Sequence, residues 1–288
     1  MRTVVTGAAG QLGRQVLDSW RDEDVTGLTR DELDVTDEGA VLATITELSP
    51  EVIVNCAAWT AVDACEEDPE RAHRVNALAP WWLARAARVV GARLVHVSTD
   101  YVFGGEAPTG PGAEQRGWTE FDRIDPRSVY GRSKAAGEQL VRSTLPEHHI
   151  VRTAWVCGAH GGNFVRTMLR LADGGGPVRV VDDQFGSPTF TADLAVALRE
   201  LAGSDRYGTW HRTNSGRASW YELAAATFEL AGRDVDLGPQ PSSALDRPAP
   251  RPPWSVLDDT HATTAGLRPM PSWREGLRDM LAELGELA

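Results

Sequence analysis

The chain opens with a short apolar run, Arg2–Thr6. A turn with three glycines follows, Gly7-Ala8-Ala9-Gly10-Gln11-Leu12-Gly13, and then a helical pattern from Gln11 to about Trp20. This beginning is the strongest constraint on the fold, because a strand that turns straight into a helix regains its sheet only through a crossover to a parallel neighbour. The alternation continues down the first half. A helix through Val41, Leu42, Ile45 and Leu48 precedes the buried run Val52–Cys56, and a long alanine-rich helix from about Pro69 to Val90 precedes Leu94–Val97. A helix over roughly Val129–Ser143 precedes Ile150–Val151. Such alternation predicts a parallel sheet with helices on both faces.

Beyond Val156 the pattern loosens. Helical stretches are expected at Phe164–Leu171, after Thr191, near Ser219 and around Ser272–Leu284, with a strand at Val178–Val181. The proline-rich stretch Gly238–Trp254 reads as irregular, and His148-His149 as part of a turn. The expected fold class is α/β: a Rossmann-like, doubly wound parallel sheet over residues 1–155, with roughly 178–213 returning to it. A smaller substrate-binding lobe is expected over 156–288.

Bulk properties narrow the function. With 41 acidic against 29 basic residues, the chain carries a formal charge of −12. That balance argues against nucleic acid or an anionic membrane as partner, since both call for basic stripes. The N-terminal apolar stretch is too short for a signal peptide and no run approaches a membrane span, so a cytoplasmic protein is expected. Three cysteines, Cys56, Cys65 and Cys157, lack metal or disulfide spacing.

The glycine turn has the GxxGxxG spacing and sits between a strand and a helix. Glycines there allow a tight turn and a close backbone approach to a pyrophosphate, which the helix N-terminus favours electrostatically. Gly7, Gly10, Gln11, Leu12 and Gly13 are therefore cofactor candidates. NAD enzymes place an acidic residue at the end of the second strand for the ribose 2′-hydroxyl. Here that stretch reads Gly27-Leu28-Thr29-Arg30, and a hydroxyl with a guanidinium suits a 2′-phosphate. NADPH is the expected cofactor, with NADH left open because Asp31 is adjacent. Asp34 and Val35 are placed where a loop covers the adenine, and a polar turn accounts for them equally well.

Tyr130-Gly131-Arg132-Ser133-Lys134 has YxxxK spacing on a predicted helix, so phenol and ammonium share a face. A nearby cation is expected to pull the tyrosine towards ionisation at working pH. Upstream, Leu94–Val97 runs into Ser98-Thr99-Asp100-Tyr101, which puts hydroxyls at the carboxyl end of a parallel strand, the ligand edge of open α/β sheets. Val97 joins the cofactor residues there. Glycine loop, strand-end hydroxyl and YxxxK together supply what a carbonyl reductase needs.

At these residues the chain resembles the dTDP-4-dehydrorhamnose reductase family of extended short-chain dehydrogenases. GAAGQLGR, VIVNCAAWTAVDACE, STDYVF, VYGRSKAAGE, RTAWV, NFVRTMLRLA, DDQFGSPT and RPPWSVLD occur in family order from end to end. The resemblance implies a cytoplasmic, NADPH-dependent reductase of the C4 keto group of a dTDP-4-keto-6-deoxyhexose. It implies Thr99, Tyr130 and Lys134 as the catalytic residues, with Tyr130 and Lys134 also at the cofactor. Gly10, Gln11 and Leu12 match its pyrophosphate residues, and Ala57, Ala58 and Trp59 the segment along the cofactor. Asp100 and Trp155 match nucleotide-sugar contacts, and Arg251 falls in a region that shapes the same pocket. Cys56, Trp59 and Thr29-Arg30 depart from the usual pattern. The glutamates that hold a magnesium ion in some members have no match, so no metal is expected, and a monomer or a homodimer is. Two readings stay open beside the rhamnose enzyme: a 4-ketoreductase of another deoxysugar pathway, and a catalytically idle regulatory subunit.

Overall fold

The computed structural model describes residues 1–109 and 115–288. Its centre is one six-stranded sheet. Five strands come from the first half: β1 (Arg2–Thr6), β2 (Asp24–Leu28), β3 (Val52–Asn55), β4 (Arg93–Thr99) and β5 (His148–Thr153). Later in the chain come β6 (Val178–Val181), β7 (Gly208–His211) and β8 (Leu237–Gln240). The sheet order is β7-β5-β4-β3-β1-β2 and every pairing in it is parallel. The direction of chain progression reverses between β1 and β3, which opens a crevice at their carboxyl ends.

Side-chain alternation splits the hydrophobic residues between two layers. Val4, Ile53, Leu94 and Ile150 point to one face. There they pack on α2 (Glu38–Leu48), α3 (Ala79–Val90) and α4 (Val129–Thr144) through Val41, Ile45, Leu83 and Val141. Val5, Val54, Val95 and Val151 point to the other face, against α1 (Gln11–Ser19) and α6 (Thr191–Ala202), with Val16, Trp20, Leu194 and Leu198. Trp20 is fully buried, and its indole N–H donates to the Ala195 carbonyl at 3.1 Å, joining α1 to α6.

Residues 191–211, α6 and β7, thus belong to the central sheet, whereas β6 does not. Val178–Val181 pairs in parallel with β8 instead, away from the sheet. The start of the proline-rich stretch is accordingly a strand, tolerated because β8 has only one partner. The lobe around this pair contains α5 (Phe164–Asp173), α7 (Trp220–Leu230) and α8 (Trp273–Leu284), closed over Val165, Leu169, Leu223, Leu277 and Leu281. Ser219 and Ser272 start α7 and α8 with capping boxes to Glu222 and Glu275. His148 and His149 lie in β5, buried, rather than in a turn. A histidine pair is polar by composition, but here burial holds both imidazoles below their ordinary pKa. Among the described residues no helix is long and apolar enough to cross a membrane.

Replacing Trp20 by Ala removes a large buried side chain and the hydrogen bond that joins α1 to the Ala195 carbonyl. The expected loss is about 3–5 kcal/mol of unfolding free energy, read by urea denaturation.

Candidate active site

The carboxyl ends of β1, β3, β4 and β5 meet at the reversal point, and two adjoining cavities lie along this edge. The first, about 300 Å³, is lined by Gly7, Gly10, Arg30, Asp34, Val35, Ala57, Ala58, Trp59 and Arg71, among others. The second, about 460 Å³, takes in Gln11, Leu12, Gly13, Val97, Thr99, Asp100, Tyr130, Lys134 and Trp155. Gly10, Cys56 and Ala58 border both, so the two form one cleft.

Backbone proximity dictates the glycines. Gly7 has φ +70°, and a Cβ there would sit 2.7 Å from the Ala57 nitrogen; a Cβ on Gly13 would sit 2.3 Å from the Gly7 carbonyl oxygen. Gly10 caps α1 without any side-chain acceptor, which leaves the first-turn N–H groups at the cleft wall. The Gln11 side chain is used otherwise, donating to the Val156 carbonyl at 3.1 Å.

The loop after β3 is held by a residue that the sequence reading passed over. The helix leading into α3 contains a π-turn over Arg74–Leu78. From that turn Asn76 accepts from the Trp59 N–H at 2.8 Å and donates to the Trp59 carbonyl at 3.0 Å, as a neighbouring strand would. Its amide also reaches the Ser133 hydroxyl at 3.1 Å. The π-turn is the one signal absent from a helical pattern, and such turns cluster at functional sites. Arg71, one turn earlier, lays its guanidinium over the Trp59 ring at 4.3 Å.

The Tyr130 helix is fixed just as tightly. Ser128 caps α4 by accepting from the Gly131 N–H, and Glu66 accepts from the Val129 N–H at 2.7 Å. Tyr130 is buried, stands edge-on to Tyr101, and has the Thr99 hydroxyl as hydrogen-bonding neighbour. Burial drives its phenol well above the ordinary tyrosine value, reversing the expected pull towards ionisation. The cause is desolvation, which outweighs the neighbouring groups. Tyr130 therefore keeps its proton, the state a proton donor needs. Lys134, 2% exposed, donates to the Val97 carbonyl at 2.7 Å, and burial lowers its pKa to about 8. It is the only lysine in the sequence.

Beneath it lies a buried ion pair. Arg152 grips both oxygens of Glu138 at 2.9 and 2.7 Å, and the Ser98 hydroxyl donates to the same carboxylate at 2.6 Å. Thr99 donates to Asp100 at 2.9 Å, and burial pushes the Asp100 carboxyl up to about 6. Trp155 has φ +48°, a strained position for a bulky residue, and stacks on Trp220 at 3.5 Å between centroids. Gly186 lies under its ring, where a Cβ would come within 2.3 Å.

Two of the expected residues stand apart. Thr29 lines neither cavity: the strand ends at Leu28, and the turn that follows points both the Thr29 hydroxyl and its N–H at Glu32, each at 2.8 Å. Arg251 also lies outside both cavities, its guanidinium paired with the Asp63 carboxylate at 2.6 Å and next to the Tyr101 phenol. Among the described residues, no three His, Cys, Asp or Glu side chains gather as a metal site.

Residues 1–286 match the model of the RmlD substrate binding domain. The chain belongs to the RmlD family. A relative from Streptomyces griseus, a dTDP-4-dehydrorhamnose reductase, is 47% identical across 98% of this chain and 94% of its own. A second, from Streptomyces antibioticus, is a probable dTDP-4,6-dihydroxy-2-methyloxan-3-one 4-ketoreductase, 44% identical over 99% of this chain and 96% of its own. The crystal structure of a dTDP-4-dehydrorhamnose reductase from Bacillus anthracis in complex with NADP superposes with a TM-score of 0.93. It is 38% identical and covers 98% of this chain and 99% of that one.

The Asp100 carboxyl gives the family site a pH signature. With its folded pKa raised to about 6, the neutral form is favoured in the fold, so its contribution to stability is present at pH 4 and lost as pH rises through 6. Asp100→Asn stays neutral. Its stability relative to the parent should improve by up to about 3 kcal/mol between pH 4 and 7.5, followed by chemical denaturation at each pH.

Proposed function

We propose that the protein is an NADPH-dependent reductase of the C4 keto group of a dTDP-4-keto-6-deoxyhexose, with dTDP-4-dehydrorhamnose as substrate and dTDP-L-rhamnose as product. The observation that carries this reading is the convergence of Thr99, Tyr130 and Lys134 in a cavity that continues into the glycine-loop cleft. The names of the Streptomyces griseus and Bacillus anthracis relatives support the substrate and the cofactor.

The residues present fit a phosphorylated dinucleotide. Glycines whose Cβ atoms would strike backbone line the turn, and Arg30 and Arg71 face the first cavity. Asp34 there already accepts from Thr36 at 2.7 Å. When bound, NADPH supplies a hydride to the keto carbon. Thr99 and Tyr130 then hydrogen-bond the ketone oxygen, and Tyr130, kept protonated by burial, gives its proton to the developing alkoxide. Lys134 holds the nicotinamide ribose and offers positive charge to the tyrosinate left behind. Gly10, Gln11, Leu12 and Gly13 take the pyrophosphate through backbone N–H groups, and Ala57, Ala58, Trp59 and Val97 flank the dinucleotide. Asp100 and Trp155 border the sugar side. A dTDP-sugar as partner, a cytoplasmic location and a monomer or homodimer complete the proposal.

The name of the Streptomyces antibioticus relative favours a second reading, a 4-ketoreductase of a different deoxysugar. One assay separates them. Purified protein is mixed with NADPH and dTDP-4-dehydrorhamnose, absorbance of the reduced nicotinamide is followed, and the product is identified by NMR. Rapid oxidation yielding dTDP-L-rhamnose is expected. A different epimer moves the protein to the second reading, and no oxidation with NADPH demonstrably bound overturns the rhamnose reading and leaves a different keto-sugar or a catalytically idle regulatory subunit. In the same assay Tyr130→Phe should lower kcat by about 10²–10⁴-fold with NADPH affinity kept. Arg30→Ala should weaken NADPH about tenfold and NADH hardly at all, measured by fluorescence titration.

A further inference from the structure

In the reductase reading the glycine turn takes the pyrophosphate, and Gly10 borders both cavities, so the dinucleotide divides there. Arg30, Asp34 and Val35 line the first cavity, on the adenosine side. Thr99, Tyr130 and Lys134 line the second, which leaves that one for the nicotinamide. Two oxygens in the wall of the second cavity, Gln11 Oε1 and Thr153 Oγ1, are shut off from solvent and have no hydrogen-bond partner among the described residues. One oxygen of Asp100 shares that condition, but this carboxyl accepts from Thr99 through the other and has the Ser255 hydroxyl beside it, on the sugar side. A buried polar atom left unpaired is costly, so Gln11 and Thr153 call for a ligand group that answers them.

The polarity of Gln11 is fixed by its surroundings. The Val156 carbonyl can only accept, so the Gln11 atom facing it at 3.1 Å is the NH₂, and the atom left over is the oxygen. Gln11 Oε1 thus offers an acceptor and nothing else. Thr153, 4% exposed, ends β5 in register with Thr99 at the end of β4. Registered residues of a parallel pair present their side chains to the same face, and neighbouring strands run about 4.8 Å apart. What the Thr153 hydroxyl meets therefore lies beside what Thr99 meets.

We propose that Gln11 Oε1 and the Thr153 hydroxyl form the seat of the nicotinamide carboxamide, Gln11 accepting from its NH₂ and Thr153 donating to its carbonyl oxygen. The carboxamide is the polar part of the nicotinamide ring and carries both donors and an acceptor. An acceptor-only oxygen paired with a hydroxyl leaves it a single orientation. The ring carbon that bears it is next to the one that gives up the hydride. Holding the carboxamide therefore fixes which ring face is turned towards the ketone beside Thr99 and Tyr130, and how closely it approaches. Gln11 and Thr153 are positioning residues in this arrangement, since neither touches the reacting atoms. Through Val156, one residue beyond Trp155, the Gln11 side chain also ties the seat to the wall of the sugar side.

This seat rests on the reductase reading and deepens it, and its test reads binding rather than turnover. Isothermal titration calorimetry on the full-length protein gives Kd for NADP⁺ and for two analogues. In 3-acetylpyridine adenine dinucleotide phosphate a methyl replaces the carboxamide NH₂; in thionicotinamide adenine dinucleotide phosphate a sulfur, a poor acceptor, replaces the carbonyl oxygen. The parent should bind the acetyl analogue about tenfold and the thio analogue about threefold more weakly than NADP⁺. Equal affinities in the parent overturn the proposal before any variant is made. Gln11→Met, similar in length with no amide, should erase the preference over the acetyl analogue and keep that over the thio analogue. Thr153→Val, of the same shape with no hydroxyl, should do the reverse, and Thr153→Ser should restore the parent's pattern. A residue that only held the fold would weaken all three ligands alike. Parallel losses in either variant, or a preference that survives undiminished, therefore overturn the seat. Failure of NADP⁺ and NADPH to bind the parent at all is a different result, and overturns the reductase reading itself.

Discussion

A sheet whose strands all run one way has both faces covered by the helices that return the chain, so neither face is open to a ligand. What remains is the edge where the strands end, and there only at the point where the winding reverses. In this chain the reversal lies between β1 and β3. The glycine turn leaves β1 at that point, Ala57–Trp59 leaves β3 beside it, and Thr99 and Trp155 follow from β4 and β5. Everything chemically useful is carried there by backbone direction. The two-layer core of Val4, Ile53 and Leu94 against Val5, Val54 and Val95 keeps those ends in register.

Much of this was legible because it depends on local pattern. Gly7 is required by its positive φ and Gly13 by a backbone contact within the same turn, and Tyr130 and Lys134 by the pitch of one helix. The supporting residues left no such trace. Asn76 acts through a π-turn, which shifts the helical phase without altering composition, so a pattern of 3.6 residues passes through it unnoticed. Asn55 and His96 meet across two strands, a relation that pattern reading does not contain. The same limit explains β5. His148 and His149 read as polar until Tyr207 and the neighbouring strands enclose them. Thr29 illustrates the reverse case, since a one-residue uncertainty in the end of β2 decides whether a hydroxyl faces the cleft or Glu32.

Electrostatics explain why these hidden residues matter. The Tyr130 phenol and the Lys134 amine are both buried, and burial moves them in opposite senses: Tyr130 holds its proton more firmly, while Lys134 holds its own less firmly. The simple picture, in which a fixed lysine charge drags the tyrosine towards ionisation, suits a reaction that begins from the phenolate. A reduction begins from the phenol, and the desolvated pocket favours that state. Positive charge is then most useful after the proton has left Tyr130, and Lys134 is the cation beside it.

Buried polar groups lie on both sides of Lys134. Glu138 supplies a negative charge one turn beyond Lys134, but Arg152 and Ser98 consume most of its acceptor capacity. From the opposite side His96 presents a single N–H whose direction is set, through Asn55, by the backbone of the very loop that flanks the dinucleotide. The loop after β3 and the Lys134 amine are thus linked through the buried Asn55 and His96 side chains.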